Sequence, residues 1–266
     1  MRFSRFIVTL LGFLHGVMVS LLFVLYLMSS YEDGLFDQIV ESLLSPEMSE
    51  QEAVLALMNG THVMLKPRQE LFSGIEYVGL RDGVFGSSDT QLIDARGNCG
   101  SYTHVLGRLL QRANYEIRIA QMKCGDVWGC HILLEAKVDG RFVSLDALYD
   151  LAFINPDGSL ASFEQVGASW SSFKDQVPAG YNSWYQYQDV RYTNWGKVPV
   201  VMPAIRSILN AFTKGGAETL SIRAYVLNVY ATYMRLLLCC YFILIALTIY
   251  IGFKLRGKKR AREIEA

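Results

Sequence analysis

Three residue types that together perform thiol catalysis occur in order along this chain, at Cys99, His131 and Asp146. A cysteine thiolate attacks a carbonyl carbon, and an imidazole accepts the proton of the thiol. A carboxylate beside the imidazole selects its tautomer and stabilises the imidazolium that forms. A lone cysteine, by contrast, is usually a small buried hydrophobe. The chemistry therefore depends on the elements that position the three side chains.

Cys99 stands where a turn meets a predicted helix. It follows the glycine-bearing run 96–98 and precedes a segment whose apolar residues recur at helical spacing. At a helix N-terminus, the free N–H groups and the helix dipole favour a thiolate, which is the nucleophilic form. The buried face of this helix is predicted to consist of Tyr102, Val105, Leu106, Leu109, Leu110 and Ala113.

His131 and Asp146 frame a predicted β-hairpin. Residues 132–138 and 141–145 are rich in strand-forming types, and they surround Asp139-Gly140. This dipeptide is a strong signal for a two-residue hairpin turn.

The turn also predicts the register of the hairpin. A two-residue loop pairs Val138 with Arg141, and continuing that pairing places Asp146 opposite Leu133. Leu133 and His131 are two residues apart, so they share one face of the sheet, and the imidazole and carboxylate become diagonal neighbours. A slip of one residue would place them on opposite faces.

Three runs around these residues, 97–102, 128–131 and 138–149, resemble the transglutaminase-like core, a papain-like thiol fold with a Cys-His-Asp triad. The resemblance covers roughly residues 94–153. It implies an α+β fold in which a helix packs with an antiparallel sheet. It also implies that the protein is of the membrane-anchored bacterial type. It also implies Cys99 as nucleophile, His131 as base and Asp146 as the residue that orients the imidazole. Bacterial relatives cleave or transfer amides, and some have lost activity.

Two positions depart from that family's pattern. Cys130 precedes the histidine, where glycine is frequent, and Gln91 lies eight residues before Cys99, further than the oxyanion glutamine of papain-type enzymes. We expect the backbone N–H of Cys99 to supply one oxyanion donor. The sequence leaves the second donor open.

Four further residues near the triad are candidates for the site. Trp128 and Gly129 are predicted to bind substrate, with core packing as an equal alternative for Trp128. Cys124 and Cys130 flank a short loop between strands, where an oxidising compartment permits a disulfide. Strand geometry that points them apart is the alternative. We expect no metal and no cofactor, because the chain has no nucleotide-binding loop or metal-ligand cluster.

Charge and hydropathy predict a membrane protein. The 266 residues include 25 Lys and Arg against 25 Asp and Glu, which argues against a nucleic-acid partner. The apolar runs 7–28 and 236–253 are each long enough to span a bilayer. The predicted parts are an N-terminal anchor at 1–30, an extracytoplasmic transglutaminase-like domain at 31–200, a membrane-proximal helical segment at 201–234, a second span at 235–254 and a basic cytoplasmic tail at 255–266.

The charges that flank the two spans predict the topology. Arg2 and Arg5 precede the first span, acidic residues follow it, and the tail after Lys254 is strongly basic. The positive-inside rule places both termini in the cytoplasm of an inner or plasma membrane. The domain is then periplasmic in a two-membrane bacterium and extracellular or lumenal otherwise. A cleaved signal peptide is the alternative for the first span, but its apolar run is long for one.

Other elements are predicted with less bearing on the chemistry. A capping box at Ser49 opens a helix that Asn59-Gly60 should end, and residues 70–90 read as loop and short extended pieces. Pro203 opens a short amphipathic helix that could lie on the outer membrane face. A run of tyrosines and tryptophans at 181–195 could line a cleft, with packing or a membrane-interface belt as the favoured alternatives.

The function predicted from these observations is an extracytoplasmic cysteine peptidase or amidase, anchored in the lipid bilayer, which acts on a protein or peptide. Amine transfer at the same site is one rival. An inactive module that binds or assembles cell-envelope membrane proteins is the other.

Overall fold

The structure, a computed structural model, describes residues 2–73, 87–213 and 215–264. The chain is an α+β protein with a four-stranded antiparallel sheet, as expected. It divides into two compact units. One contains Met1–Tyr31 and Val229–Ala266, and the other is Glu32–Asn228.

The first unit consists of two apolar helix segments. Helix α1 is Arg2–Leu43 and helix α9 is Val229–Ile264. Within the described residues, these two helices are long and apolar enough to cross a membrane. His15 lies against α9, with its Nε2 2.9 Å from the hydroxyl of Thr248.

Helix α2, Glu50–Phe72, begins at the predicted capping box and is longer than the sequence indicated. The prediction that Asn59-Gly60 ends this helix is wrong. Gly60 is buried against the side chain of Leu43, and a larger residue would collide with it. Tertiary packing therefore outweighs the local preference of this dipeptide for a turn. The segment 70–90 is predicted to be a loop. Its first residues belong to α2, its last residues belong to the helix Ser88–Asp94, and residues 74–86 lie outside the described part of the chain.

The predicted hairpin and its register are confirmed. Val138 pairs with Arg141, and Leu134 pairs with Leu145. The sheet order is β3-β2-β1-β4, and each neighbouring pair of strands is antiparallel. The strands are β1 Ile117–Cys124, β2 Val127–Val138, β3 Arg141–Leu145 and β4 Val190–Arg191.

Both faces of the sheet are buried. Helix α4, Cys99–Arg112, packs with α2 on one face, around Leu106 and Leu134. The other face is covered by a second cluster that includes Phe153 and Tyr187. Beyond the sheet, the short elements are α3 Ser88–Asp94, α5 Phe163–Ala168, α6 Trp170–Phe173, α7 Val201–Thr213, α8 Ile222–Tyr225 and the 3-10 turns Lys174–Gln176 and Gly216–Thr219.

Ion pairs fix α4 to the end of α1 that belongs to the second unit. Arg108 Nε lies 3.1 Å from a carboxylate oxygen of Glu32, and both side chains are buried. One turn further, Arg112 donates two hydrogen bonds of 2.6 Å to the carboxylate of Asp37. Because Arg–carboxylate pairs with two bonds are geometrically specific, they hold the helix that begins at Cys99 in one orientation.

Candidate active site

Cys99 is the first residue of α4, as predicted. The turn before it is tightly built. Asn98 adopts a left-handed φ of 46°, which is uncommon for a residue other than glycine. The N–H of Gly97 donates to the hydroxyl of Ser101 at 2.8 Å, and that hydroxyl donates to Gln91 Oε1. A side chain at Gly97 would meet the Ser101 hydroxyl 2.7 Å away, so glycine is required for this approach.

Helix α2 holds the same turn from the other side. Gln69 Nε2 donates to Asn98 Oδ1 at 2.7 Å, and the hydroxyl of Tyr102 donates to Gln69 Oε1 at 2.8 Å. Gln69 thus links the residue before Cys99 to the buried face of the helix that Cys99 begins. Sequence reasoning missed this residue because it ended α2 at Asn59-Gly60, whereas the helix continues to Phe72.

His131 and Asp146 are joined as the register predicted. His131 Nε2 lies 2.6 Å from Asp146 Oδ2, and both side chains are essentially excluded from solvent. Among the described residues, the other ring nitrogen, Nδ1, is buried without an oxygen or nitrogen partner. The Cys99 side chain interacts with the same ring. With Nε2 occupied by Asp146, Nδ1 is the nitrogen that is left to exchange a proton with the thiol.

The backbone of Ile132 connects the two halves of the site. Strand β3 pairs with β2 only from Leu134 onward, so it does not use the groups of Ile132. The carbonyl of Ile132 accepts a hydrogen bond from Thr103 Oγ1 at 3.0 Å, and its backbone N–H helps to lower the pKa of the Cys99 thiol. The N-terminal part of α4 is therefore bonded to the strand position next to His131.

The electrostatics of the pair favour a thiolate and an imidazolium. Burial alone would lower the pKa of His131, but the Asp146 carboxylate and the Cys99 thiolate together raise it to about 9. Burial by itself raises the pKa of Cys99. The interaction with His131 and the N–H of Ile132 has a larger effect in the opposite direction, so the pKa of Cys99 lies below its ordinary value. The resulting ion pair is the reactive form of a thiol nucleophile.

Aromatic rings enclose the imidazole. Tyr185 stacks flat on His131, with ring centroids 4.4 Å apart and planes 9° from parallel. Tyr149 meets the imidazole edge-on at 5.9 Å. Tyr181 meets both tyrosines edge-on, whereas Tyr187 is buried in the core. The aromatic run at 181–195 therefore contributes to both the core and the site, although packing was the favoured alternative.

A cleft of about 570 Å³ lies beside the triad. Tyr149, which touches the imidazole, and Gln69, which bonds Asn98, both line it. Helix α2 supplies most of its polar wall, and the opposite wall comes from the segments after β3 and α6. Its lining residues are His62, Lys66, Gln69, Glu70, Ser73, Tyr102, Leu148, Tyr149, Pro178 and Ala179.

Trp128 and Gly129 do not line this cleft. Trp128 is 38% exposed, and its ring lies between the cationic groups of Lys123 and Arg191, at 5.6 and 5.0 Å. Gly129 adopts a φ of 75°, at an irregularity where β2 bulges against β1. A role of these two residues in binding substrate stays a prediction.

Cys124 and Cys130 form a disulfide across the β1–β2 turn, with Cα atoms 6.0 Å apart. This is one of the two arrangements that the sequence left open. The disulfide, Trp184 and Tyr185 line a second cavity of about 270 Å³. Cys99 remains a free thiol.

The start of α4 offers one candidate for the predicted oxyanion donor. The N–H groups of a helix's first turn have no partner within the helix, so the N–H of Cys99 is available there. The next N–H, of Gly100, is used by the carbonyl of Gly97 at 2.9 Å. Within the described residues, no cluster of three His, Cys, Asp or Glu side chains could hold a metal ion.

Comparison with known proteins yielded no match to a family model, to a curated protein or to a solved structure.

Proposed function

We propose that this chain is a membrane-anchored thiol enzyme of the transglutaminase-like class, which acts outside the cytoplasm on an amide or peptide. One observation carries the proposal. The buried His131–Asp146 pair leaves the ring nitrogen Nδ1 of His131 without an oxygen or nitrogen partner among the described residues, and the side chain of Cys99, at the start of a helix, interacts with the same ring. A buried cysteine or histidine with a purely structural role needs no such combination.

The geometry supports a two-step acyl transfer. The Cys99 thiolate attacks the carbonyl carbon, while the Cys99 N–H stabilises the oxyanion. The C–N bond then breaks, and the His131 imidazolium gives its proton to the departing amine, which leaves a thioester on Cys99. Water next attacks the thioester and loses a proton to His131. The C–S bond breaks, and the thiolate is restored with a free carboxylic acid as product.

The cleft supports a polypeptide substrate. Its volume is in the range of ligand-binding clefts, and its walls combine the polar side chains of α2 with the rings of Tyr102 and Tyr149. Because Tyr149 also touches His131, a chain bound in the cleft would lie next to the reacting groups.

The proposal is tested by alkylation of Cys99 with iodoacetamide across a pH range, in a chain that carries Cys239→Ala and Cys240→Ala. These substitutions remove the other free thiols and leave the disulfide in place. We expect Cys99 to react well below the pH at which an ordinary thiol does. His131→Ala should move the profile upward, because it removes the cationic partner.

His62→Ala is the matched control, since His62 lines the cleft but hydrogen-bonds the carbonyl of Ala147 instead of the thiol. If Cys99 titrates as a free thiol and does not respond to His131, the chain is not a thiol enzyme, and the inactive binding module takes its place. If Cys99 is activated, product analysis with and without an added amine separates hydrolysis from transfer.

A further inference from the structure

Helix α7, Val201–Thr213, presents an apolar stripe to solvent. None of its residues is buried. Val201, Ile205, Ile208 and Phe212 follow each other at helical spacing and so lie on one face. Their exposed fractions are 54%, 38%, 59% and 83%. An ordinary surface helix buries such a stripe against the core.

Two polar residues of α7 bond to the turn that follows this helix. Arg206 Nε donates to Glu218 Oε1 at 2.6 Å, and Asn210 Oδ1 accepts from the N–H of Ala217 at 3.2 Å. Both partners belong to the 3-10 turn Gly216–Thr219, which follows α7. The half-buried residues of α7, which are Met202, Leu209 and Asn210, lie on the same side of the helix as these bonds. The apolar stripe faces outward, which marks an interaction surface.

We propose that the apolar face of α7 lies in the outer surface of the same bilayer that α1 and α9 span, as a third membrane contact. This inference rests on the membrane anchoring in the proposed function, and it is independent of the thiol chemistry.

Chain connectivity favours the bilayer over other occupants. Only residues 214–228 separate α7 from α9, the second candidate span. Asn228 Nδ2 donates to Asp33 Oδ1 at 3.1 Å, so the chain enters and leaves the second unit at one place. Just before α9, Tyr225 is 67% exposed and adds apolar surface on the way to that span.

The chemistry of the face also favours lipid. The stripe is aliphatic and aromatic, and α7 contains no acidic residue. Such a face inserts at the boundary between headgroups and acyl chains. The one cation of α7, Arg206, is already paired with Glu218. The contact therefore depends on apolar burial, and it should not require anionic lipid or weaken with salt.

The test uses the full chain in nanodiscs of zwitterionic phosphatidylcholine that each hold one copy of the protein. Cys99→Ala, Cys239→Ala and Cys240→Ala remove the free thiols, and an environment-sensitive fluorophore is attached through Phe212→Cys. A separate chain carries Ile208→Cys, in case the change at 212 weakens the contact. Ser207→Cys, on the exposed polar side, is the matched control. A chain that retains Cys239 alone reports the α9 span.

We expect blue-shifted emission at 208 and 212, quenching there by lipids spin-labelled near the headgroup, and loss of quenching by aqueous iodide. The control at position 207 should show no blue shift and no quenching by the spin-labelled lipids, and aqueous iodide should quench it. Adding anionic lipid should change the signals neither at 208 and 212 nor at 207. Iodide quenching at 208 and 212 without lipid quenching would overturn the proposal, because the face would then be free. Protection from both quenchers would also overturn it, in favour of a protein partner. Absence of lipid quenching at 239 would instead contradict the span itself.

Discussion

At the scale of single residues, the site depends on which nitrogen of His131 each partner occupies. Asp146 takes Nε2 at 2.6 Å, so Nδ1 is the nitrogen that serves Cys99. His131 and Asp146 are both buried, and this strengthens their interaction because water does not compete for the hydrogen bond between them. The thiol and the imidazole each acquire a pKa that favours the ion pair.

Asp146→Asn should lower turnover by about two to four orders of magnitude while the domain stays folded. An amide favours the wrong tautomer of His131 and no longer stabilises the imidazolium. Turnover and circular dichroism of the same preparation measure the two effects. Asp150→Asn is the control, because its carboxylate accepts a hydrogen bond from Asn59 and does not contact the imidazole. Unchanged turnover in the Asp146 variant would remove this residue from the site.

Activity should follow a bell-shaped pH profile. The lower limb reports formation of the Cys99 thiolate, whose pKa lies below that of an ordinary thiol. The upper limb should fall near pH 9, where His131 loses the proton that the leaving amine requires. A profile of kcat/KM between pH 4 and 11 measures both limbs. A rate that continues to rise above pH 9 would show that His131 does not act as the acid.

At the scale of elements, the site depends on contacts between segments that are distant in sequence. Helix α2 supplies Gln69 to the turn before Cys99, and the segment that contains Tyr185 supplies the ring that stacks on His131. That segment is held against α5 at Gly167, where the backbone of Tyr187 approaches too closely for any side chain. The position of Tyr185 thus depends on a glycine in another element.

Gly167→Ala should destabilise the domain by roughly 1–3 kcal/mol, because the added methyl group overlaps the carbonyl of Tyr187 and the backbone must move. Turnover should fall as well, since Tyr185 is displaced from His131. Thermal unfolding and kcat measure the two effects. Gly196→Ala is the control, where the new methyl group would lie at an ordinary 3.6 Å from Asn194 Oδ1. Equal unfolding temperatures for the two variants would contradict the argument.

At the scale of the whole molecule, one folded unit is inserted between two apolar helices. The two ends of the unit Glu32–Asn228 lie close together, as the hydrogen bond between Asn228 and Asp33 shows. Such an insertion lets both helices serve as anchors without separating the halves of the domain. The basic residues that follow the apolar part of α9 and the arginines before the apolar part of α1 predict that both termini lie in the cytoplasm.

The topology is tested by labelling single cysteines in intact cells with a membrane-impermeant maleimide, in a chain without Cys99, Cys239 and Cys240. Ser45→Cys, in the exposed connection between α1 and α2, should label before lysis. Ala266→Cys, at the end of the basic tail, should label only after lysis. The reverse pattern would place the domain in the cytoplasm, and equal labelling at both sites would contradict a two-span topology.

The sequence by itself determined the features that depend on short-range geometry. The two-residue turn at Asp139-Gly140 and the alternation of strand side chains sufficed to place Asp146 beside His131. Helical spacing sufficed to start a helix at Cys99. Apolar length and flanking charge predicted the spans, because a bilayer responds to these properties directly.

Only the tertiary structure decided which distant segments complete the site. Gln69 reaches the turn before Cys99, and Tyr185 reaches His131, from segments whose sequences do not specify these contacts. The same holds for α2, which continues past Asn59-Gly60. The sequence predicted an amphipathic helix at Pro203, and the structure shows that the apolar face of α7 points outward. Periodicity shows that a helix has an apolar face, but the packing of the rest of the chain determines what that face meets.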